Sequence, residues 1–217
     1  MKRFGMDMNT SKFKIYGAII LIATLVFIGV AVGVQTGYLD AFDDAVRYRV
    51  YSMRSDKLTV FWKFITHSGD RYVVILLGVI LLLKKSLREK YGVKFAIAAL
   101  SSTALYQIMK YIFQRPRPDL ALRLIEQGGY SFPSGHSMNC LVSYGILIYL
   151  LLKYCENRRL AKILSVGLGL LTILIGFSRV YVGVHYPTDI IGGWSLGIAV
   201  LVAMIYVFEK FDSRSEG

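Results

Sequence analysis

The sequence is poor in cysteine, proline and acidic residues, and each shortage limits what the chain can be. Its 217 residues include two cysteines, four prolines and 14 Asp+Glu against 26 Lys+Arg. Cys140 and Cys155 lie 15 residues apart on one predicted helix; the separation of about 22 Å excludes a disulfide between them. Asp40, Asp43 and Asp44 are predicted to lie in a separate segment, so the other motifs lack a carboxylate cluster suited to Mg²⁺.

Apolar residues, in contrast, make up 55% of the chain and gather in runs about as long as a bilayer core is thick. The runs predict an all-α integral membrane bundle with six transmembrane helices, at Ile15–Val34, Tyr72–Leu83, Val93–Phe113, Ser137–Leu152, Ile163–Phe177 and Ile190–Phe208. Residues 1–217 are treated as a single domain. The first span is predicted to be retained, since no signal-peptide cleavage site is visible.

Residues 39–64 mix apolar and charged side chains and follow the first predicted span. Their aromatic residues Tyr48, Tyr51 and Trp62 suit a headgroup boundary. We therefore expect an interfacial helical segment here. An ordinary soluble loop helix is the alternative.

The net charge of +12 is carried by short connections between the apolar runs. This placement argues against a nucleic-acid partner and favours a bilayer and phosphorylated lipids. Unbalanced Lys and Arg mark the N-terminal segment and residues 84–94 and 153–162. The positive-inside rule then predicts cytoplasmic termini and three outer loops. The first outer loop, between the first and second predicted spans, is an exception to the charge pattern, because it holds six Lys and Arg, although five acids accompany them. The other two outer loops are 114–136 and 178–189.

All four prolines and two of the three histidines lie in those two outer loops, in three clusters. The first cluster places Lys110 and Arg117 around the end of the third predicted span. Its alternative interpretation is a helix end whose cations reach to the interface. The second cluster places Ser134, Gly135 and His136 directly before an apolar helix, where backbone N–H groups bind anions. Its alternative is a simple N-cap formed by Ser134.

The third cluster contains Arg179, His185 and Asp189. His185 and Asp189 are four residues apart, a spacing that on a helical turn puts them on one face within hydrogen-bond reach. A carboxylate on one imidazole nitrogen fixes the tautomer and raises the basicity of the other nitrogen. Because cations and imidazoles from two loops converge on one membrane face, with Asp189 as their clear counterion, the arrangement suits a phosphate.

The three clusters together resemble the signature of the type-2 phosphatidic acid phosphatase (PAP2) superfamily. Lys-x6-Arg-Pro is found at Lys110–Pro118, Pro-Ser-Gly-His at Pro133–His136, and Ser-Arg-x5-His-x3-Asp at Ser178–Asp189. The resemblance is closest to the bacterial phosphatidylglycerophosphatase B-like branch. It implies a membrane lipid phosphatase that requires no metal or other cofactor.

The resemblance also implies roles for individual residues. His185 is the expected nucleophile, Asp189 its partner, and His136 the acid that protonates the leaving group. Phosphate-binding roles are implied for Lys110, Arg117, Ser134, Gly135 and Arg179. The expected reaction is hydrolysis of a lipid phosphomonoester or diphosphate at the outer membrane face, through a phosphohistidine on His185. Phosphatidylglycerophosphate, phosphatidate and undecaprenyl diphosphate are the candidate substrates.

Two alternatives from other classes stay open. In a lipid phosphotransferase, an alcohol or a second lipid replaces water as the acceptor. A non-catalytic lipid-phosphate binding or transport protein needs the cations, but has no use for a nucleophile and an acid. Outside the clusters, His67 is expected to be structural or interfacial. Asp119 and Glu126 are expected to be solvated loop residues, with a gating role as the alternative.

Overall fold

A computed structural model describes residues 2–215, and side chains for residues 12–213. Within this range the chain is all-α, as predicted, with no strand. Its eight longer helices are α1 (Lys2–Gln35), α2 (Asp40–Ser52), α3 (Asp56–His67), α4 (Arg71–Leu83), α5 (Val93–Phe113), α6 (Gly135–Tyr154), α7 (Arg158–Tyr181) and α8 (Pro187–Ser215). A helix is found at each of the six predicted apolar runs.

Within the described part of the chain, four helices are long and apolar enough to cross a membrane: Lys12–Gln35 of α1, α6, α7 and Pro187–Ser213 of α8. Large apolar side chains on them point away from the protein; Leu21, Ile22 and Val166, for example, are each about 60% exposed. An apolar surface of this extent is stable in contact with lipid tails rather than with water. The chain is therefore a multi-pass membrane protein.

The second predicted span differs from expectation in its construction. α4 has only 13 residues, about 20 Å of helix, which is short for a bilayer core of about 30 Å. From the sequence, we expect the second span either to include residues 68–71 or to lie in a protected position. In the structure, α3 precedes α4 across a 43° bend, and the pair together is long and apolar enough for a fifth, broken span or for a re-entrant loop. The segment 39–64 is thus two helices, of which α3 belongs with α4.

α5 covers the third predicted span residue for residue. Its 21 residues give about 31 Å of helix, enough to span, but Ser102, Gln107 and Lys110 make it more polar than the other spans. The polar residues lie toward its C-terminal half, on the side of the predicted outer loop. The count of six spans and the interfacial position of α2 stay predictions.

α6 lies at the centre of the bundle, since ten of its 20 residues are buried. It packs against α5, α7 and α8, while α1 lies along α8 and α3 packs on α7. Phe95 of α5 and Val142, Ile146 and Leu150 of α6 are at most 1% exposed and form the main core. Because the start of α6 carries His136, this packing fixes where that side chain is held.

The helix ends remote from the predicted outer loops are joined by ion pairs. Asp212 near the end of α8 accepts hydrogen bonds from Lys94 at the start of α5 and Lys153 at the end of α6. Lys12 of α1 bonds Glu209 of α8. The N-terminal part of α1, the C-terminal part of α8 and the basic connections therefore lie at one end of the bundle, opposite the loops that carry the three clusters.

Candidate active site

Asp189 contacts His185 in a helix-capping turn. α8 begins at Pro187, a favoured first helical residue, so His185 lies just outside the helix. The Asp189 carboxylate Oδ2 accepts a hydrogen bond from the backbone N–H of Tyr186 at 2.9 Å and contacts Nδ1 of His185 at 3.0 Å. The expected pairing is therefore present, but the capping turn, rather than one face of a helix, brings the two residues together.

Arg117 settles the tautomer of His185. Its Nη1 lies 3.1 Å from Nε2 of the ring, and a guanidinium can only donate, so Nε2 accepts with its lone pair. Asp189 can only accept, so Nδ1 carries the proton. Burial lowers the pKa of His185 well below its ordinary value of 6.5, and the cations Arg117 and Lys110 lower it further. The ring is thus neutral, with its lone pair on Nε2.

Asp189 is fully buried and has further partners that the sequence did not indicate. The Ser131 hydroxyl donates to its Oδ2, and Arg115 Nη1 donates to its Oδ1 at 2.8 Å. The second guanidinium nitrogen of Arg115 pairs at 2.7 Å with Asp43 of α2, whose side chain is 1% exposed. Asp43 also accepts from the backbone N–H and the hydroxyl of Thr188. The segment expected to be separate from the site therefore anchors the turn that holds His185.

The other two predicted cations are held beside His185 by neutral oxygen atoms. Lys110 Nζ donates to the carbonyl oxygens of residues 130 and 131, at 2.5 and 3.0 Å. Arg179 is fully buried and donates to the Thr66 hydroxyl and the Gln127 side-chain oxygen. Its Nε has no hydrogen-bond partner among the described residues. Since none of these partners is a carboxylate, the positive charge of both residues stays uncompensated by direct contact.

The second cluster begins α6. The Ser134 hydroxyl accepts from the backbone N–H and the hydroxyl of Ser137, so Ser134 is the N-cap of the helix. Gly135 packs against the ring of Tyr106, which a Cβ atom would approach to 2.9 Å. His136 follows, and its Nε2 lies 2.9 Å from Oδ1 of Asp70. The position of the ring is thus set by the capped helix start and by a carboxylate from another element.

Asp70 is a site residue that the sequence analysis missed. It lies in the three-residue break between α3 and α4, and its second oxygen contacts Nδ1 of His67 at 2.8 Å. His67, expected to be structural or interfacial, is therefore bonded to a partner of His136. The sequence held one signal for this pairing: His67 and Asp70 are separated by a single turn at the end of an apolar run.

A cavity of about 490 Å³ brings most of these residues together. Five of the predicted site residues line it: Lys110, Arg117, Gly135, His136 and His185. Ser134, Arg179 and Asp189 are at most 1% exposed and lie outside the lining, where they support it. Asp119 and Glu126 do not line it either. Among the described residues, no group of three or more His, Cys, Asp or Glu side chains could hold a metal ion.

A membrane-embedded helical bundle with a neutral, carboxylate-bonded imidazole in a cation-lined cavity is typical of proteins that perform chemistry on phosphate esters. The sequence model of the PAP2 superfamily matches residues 91–213, more than half of the chain. The chain belongs to the PAP2 superfamily, and it is a membrane lipid phosphatase, a phosphoric ester hydrolase.

Similar proteins agree with this assignment over most of the length. Phosphatidylglycerophosphatase B of Bacillus subtilis (strain 168) is 30% identical over 196 residues, which cover 88% of this chain and 93% of that protein. The undecaprenyl-diphosphatase of Sulfolobus acidocaldarius is 34% identical over 62% of this chain and 63% of its own length. The crystal structure of a transmembrane PAP2 type phosphatidylglycerolphosphate phosphatase from Bacillus subtilis superposes with a TM-score of 0.79, at 28% identity, covering 88% of this chain and 96% of that one.

Proposed function

We propose that the chain removes phosphate from a lipid phosphomonoester or diphosphate through a phosphohistidine on His185. The observation that carries the proposal is the state of this ring. Asp189 accepts a hydrogen bond from Nδ1–H, and Arg117 donates to Nε2, which therefore carries the lone pair. A neutral imidazole with an oriented lone pair is the form that attacks phosphorus.

In the first step Nε2 attacks phosphorus and the bond from phosphorus to the lipid oxygen breaks. His136 gives its proton to the departing oxygen. In the second step water attacks phosphorus, its proton passes to His136, and the P–N bond breaks to release inorganic phosphate. Each histidine thus returns to its starting state, and the reaction needs only water as co-reactant.

The cations stabilise the charge that develops on the transferred phosphoryl group. Lys110 and Arg117 line the cavity and are bonded to neutral carbonyl oxygens, bonds that phosphate oxygens can replace. The unpartnered Nε of buried Arg179 supports a further contact with the phosphate, because an unsatisfied buried donor is costly. Backbone N–H groups around Gly135 complete the proposed phosphate site, with Ser134 fixing the helix start that presents them.

Phosphatidylglycerophosphate is the first candidate substrate, because the relative named for that activity covers most of this chain. Undecaprenyl diphosphate is the second, since a relative is named for its hydrolysis. We further propose six spans, cytoplasmic termini and an outward-facing site. The ion-paired helix ends near Asp212 lie opposite the cavity and carry the basic connections, as the positive-inside rule requires.

The test is to trap the intermediate. Purified protein is mixed with substrate labelled in the terminal phosphate and quenched within a turnover. We expect a phosphoenzyme that is stable in alkali and labile in acid, and that is lost in His185→Ala together with all turnover. A labelled protein that persists in His185→Ala reassigns the nucleophile. Product analysis with added alcohol or lipid acceptors separates hydrolysis from phosphotransfer.

A further inference from the structure

The break between α3 and α4 is held firmly in place. Tyr144 of α6 donates to the carbonyl oxygen of Ser68 at 2.8 Å, and the Cys140 thiol contacts the carbonyl oxygen of Gly69 at 3.6 Å. A Cβ atom on Gly69 would lie 2.6 Å from the Ile175 side chain, so only glycine permits this approach to α7. The bend therefore places Asp70 at a defined position against the start of α6.

The Asp70 side chain departs from the usual behaviour of its position. Asp70 is the N-cap residue of α4, where an aspartate normally accepts a hydrogen bond from the first turn of its own helix. Its side chain makes no such bond. Oδ1 contacts His136 at 2.9 Å and Oδ2 contacts His67 at 2.8 Å. The Asp70 side chain therefore does not cap α4, and both of its carboxylate oxygens contact imidazole rings instead.

Asp70 also lines a cavity whose other charged groups include Lys110 and Arg117. A carboxylate in this wall repels a phosphate substrate, so it weakens binding unless it has another task. His136 supplies the task, because a protonated ring here is disfavoured first by burial and then by the guanidinium groups of Arg179 and Arg117, and an adjacent anion opposes both effects. Among the described residues, Asp70 is the carboxylate in contact with His136.

We propose that Asp70 is the positioning residue of His136. It accepts a hydrogen bond from Nε2–H, stabilises the protonated ring and leaves Nδ1–H for the departing oxygen. His67 holds the second oxygen of Asp70 and so prevents the carboxylate from rotating away. This inference rests on the proposed acid role of His136. It adds a second carboxylate–imidazole pair, whose carboxylate lies outside the three sequence clusters.

Asp70 neither gains nor loses a proton in this scheme. The Nδ1 proton of His136 goes to the lipid oxygen when the P–O bond breaks. A proton of the attacking water returns to Nδ1 when the phosphohistidine is hydrolysed. Asp70 keeps its negative charge throughout, and its effect is largest in the transition state, where the acid must already be protonated and aligned.

The experiment compares Asp70→Asn, His136→Ala and the double variant on two substrates, phosphatidate in detergent micelles and p-nitrophenyl phosphate. A lipid alkoxide needs a proton to leave, whereas p-nitrophenolate does not. We expect Asp70→Asn to lower kcat on phosphatidate by about 10- to 100-fold, part of the ~10²–10⁴ typical of a positioned general acid. The loss on p-nitrophenyl phosphate should be much smaller, and KM should stay equal or fall because a repelling charge is gone.

The double variant should be no slower than His136→Ala, since Asp70 acts only through that ring. Asp70→Glu keeps the charge and should recover part of the lost kcat. The matched control is Asp56→Asn, which removes an exposed carboxylate from the first turn of α3 and should leave both substrates unaffected. Turnover of p-nitrophenyl phosphate reports whether Asp70→Asn folds. If that variant does not fold, His67→Ala must show the same pattern, a greater loss of kcat on phosphatidate than on p-nitrophenyl phosphate, with a smaller loss than the one expected for Asp70→Asn.

The outcomes separate this proposal from the one on which it rests. Equal losses on both substrates for His136→Ala mean that the acid role itself is wrong. If His136→Ala loses more rate on phosphatidate than on p-nitrophenyl phosphate while Asp70→Asn loses equally on both, the positioning role alone is wrong. Additive losses in the double variant have the same meaning. If Asp70→Asn does not fold, equal losses on both substrates for His67→Ala also overturn the positioning role.

Discussion

Two carboxylates, Asp189 and Asp70, each contact one imidazole of the site, but they hold different ring nitrogens. Asp189 occupies Nδ1 of His185, while Arg117 donates to the opposite nitrogen. Asp70 occupies Nε2 of His136, and Nδ1 has no protein partner within the described part of the chain. The donor at Nε2 of His185 requires that ring to be neutral. No such donor contacts Nδ1 of His136 within the described residues, so that ring can be protonated on both nitrogens. This difference fits the opposite roles proposed for two chemically identical side chains.

We predict that the Arg117 cation shifts the acid limb of the pH profile. The pKa of His185 is lowered by burial and then by Arg117, so the ring stays neutral and active below its ordinary pKa of 6.5. Activity falls as the pH drops through that lowered pKa. Arg117→Gln removes a cation, so the pKa of His185 rises and the acid limb of kcat/KM moves to higher pH. The measurement is the normalised pH profile on p-nitrophenyl phosphate.

Arg117→Lys is the control for this prediction, because it keeps the charge while losing the bidentate geometry. Its rate should fall, but its acid limb should stay near that of the wild type. The same substrate in every assay makes the ionisation of the substrate common to all variants. An acid limb that does not move in Arg117→Gln contradicts the electrostatic role given to this residue.

α2 is the element whose role differs most from expectation. Its charged residues suggested a surface helix, and Tyr48 and Asp44 are indeed exposed. Asp43, the neighbour of Asp44, is instead 1% exposed and bonded to Arg115 and Thr188. Arg115 also forms an ion pair with Asp189, so a chain of buried ion pairs connects α2 with the start of α8.

Asp43→Asn should therefore destabilise the protein and slow catalysis. The amide places a donor against the Thr188 hydroxyl and Arg115, and breaking a buried, hydrogen-bonded ion pair costs about 3 kcal/mol. Thermal unfolding in detergent measures the loss of stability, and kcat on p-nitrophenyl phosphate measures the effect on the nucleophile. Asp44→Asn is the matched control: its pair with Arg47 has one side chain 67% exposed and is worth less than about 1 kcal/mol. Similar effects of the two variants contradict the anchoring role of α2.

The helices and the signature residues could be predicted from short stretches of sequence. A run of apolar residues identifies a lipid-facing helix whatever its neighbours are. α5 was predicted with its bounds unchanged. Pairings between distant elements could not be predicted in this way. Asp70 and His136 are 66 residues apart, and Asp43 and Arg115 are 72 apart. Whether Asp43 faced lipid headgroups or the bundle depends on how α2 packs on α7 and α8, which its own sequence does not encode.

At the scale of the whole molecule, we expect the cations around the cavity to take the place that Mg²⁺ has in many phosphoryl-transfer enzymes. We expect turnover of phosphatidate to survive EDTA. Orthovanadate should inhibit competitively, since its trigonal-bipyramidal form mimics the transferring phosphoryl group. Lys110→Ala should weaken vanadate inhibition, whereas Lys153→Ala, a cation at the opposite end of the bundle, should not. Complete loss of activity with EDTA and its restoration by Mg²⁺ would rule out this mechanism.

The arrangement of helix ends makes the sidedness of the molecule testable. α4 and α7 run between the cavity and the basic connections, and α5 and α6 run between the same two ends. Asp212 joins the ends away from the cavity through Lys94 and Lys153. The positive-inside rule assigns those ends to the cytoplasm, so a probe in the loop before α6 and a probe in the turn before α5 must lie on opposite sides of the membrane.

Single cysteines test this in a background with Cys140→Ser and Cys155→Ser that retains activity. Leu120→Cys places a thiol in the proline-rich loop, where Leu120 is 74% exposed, and Ser86→Cys places one in the basic turn without changing its charge. In intact cells an impermeant maleimide should label Leu120→Cys and leave Ser86→Cys unlabelled; after permeabilisation both should react, which shows that each thiol is accessible. Labelling of Ser86→Cys alone in intact cells means that the lipid phosphate is hydrolysed at the cytoplasmic face. Because the cavity and the basic turn lie at opposite ends of α4, labelling of both thiols in intact cells contradicts α4 as part of a membrane span.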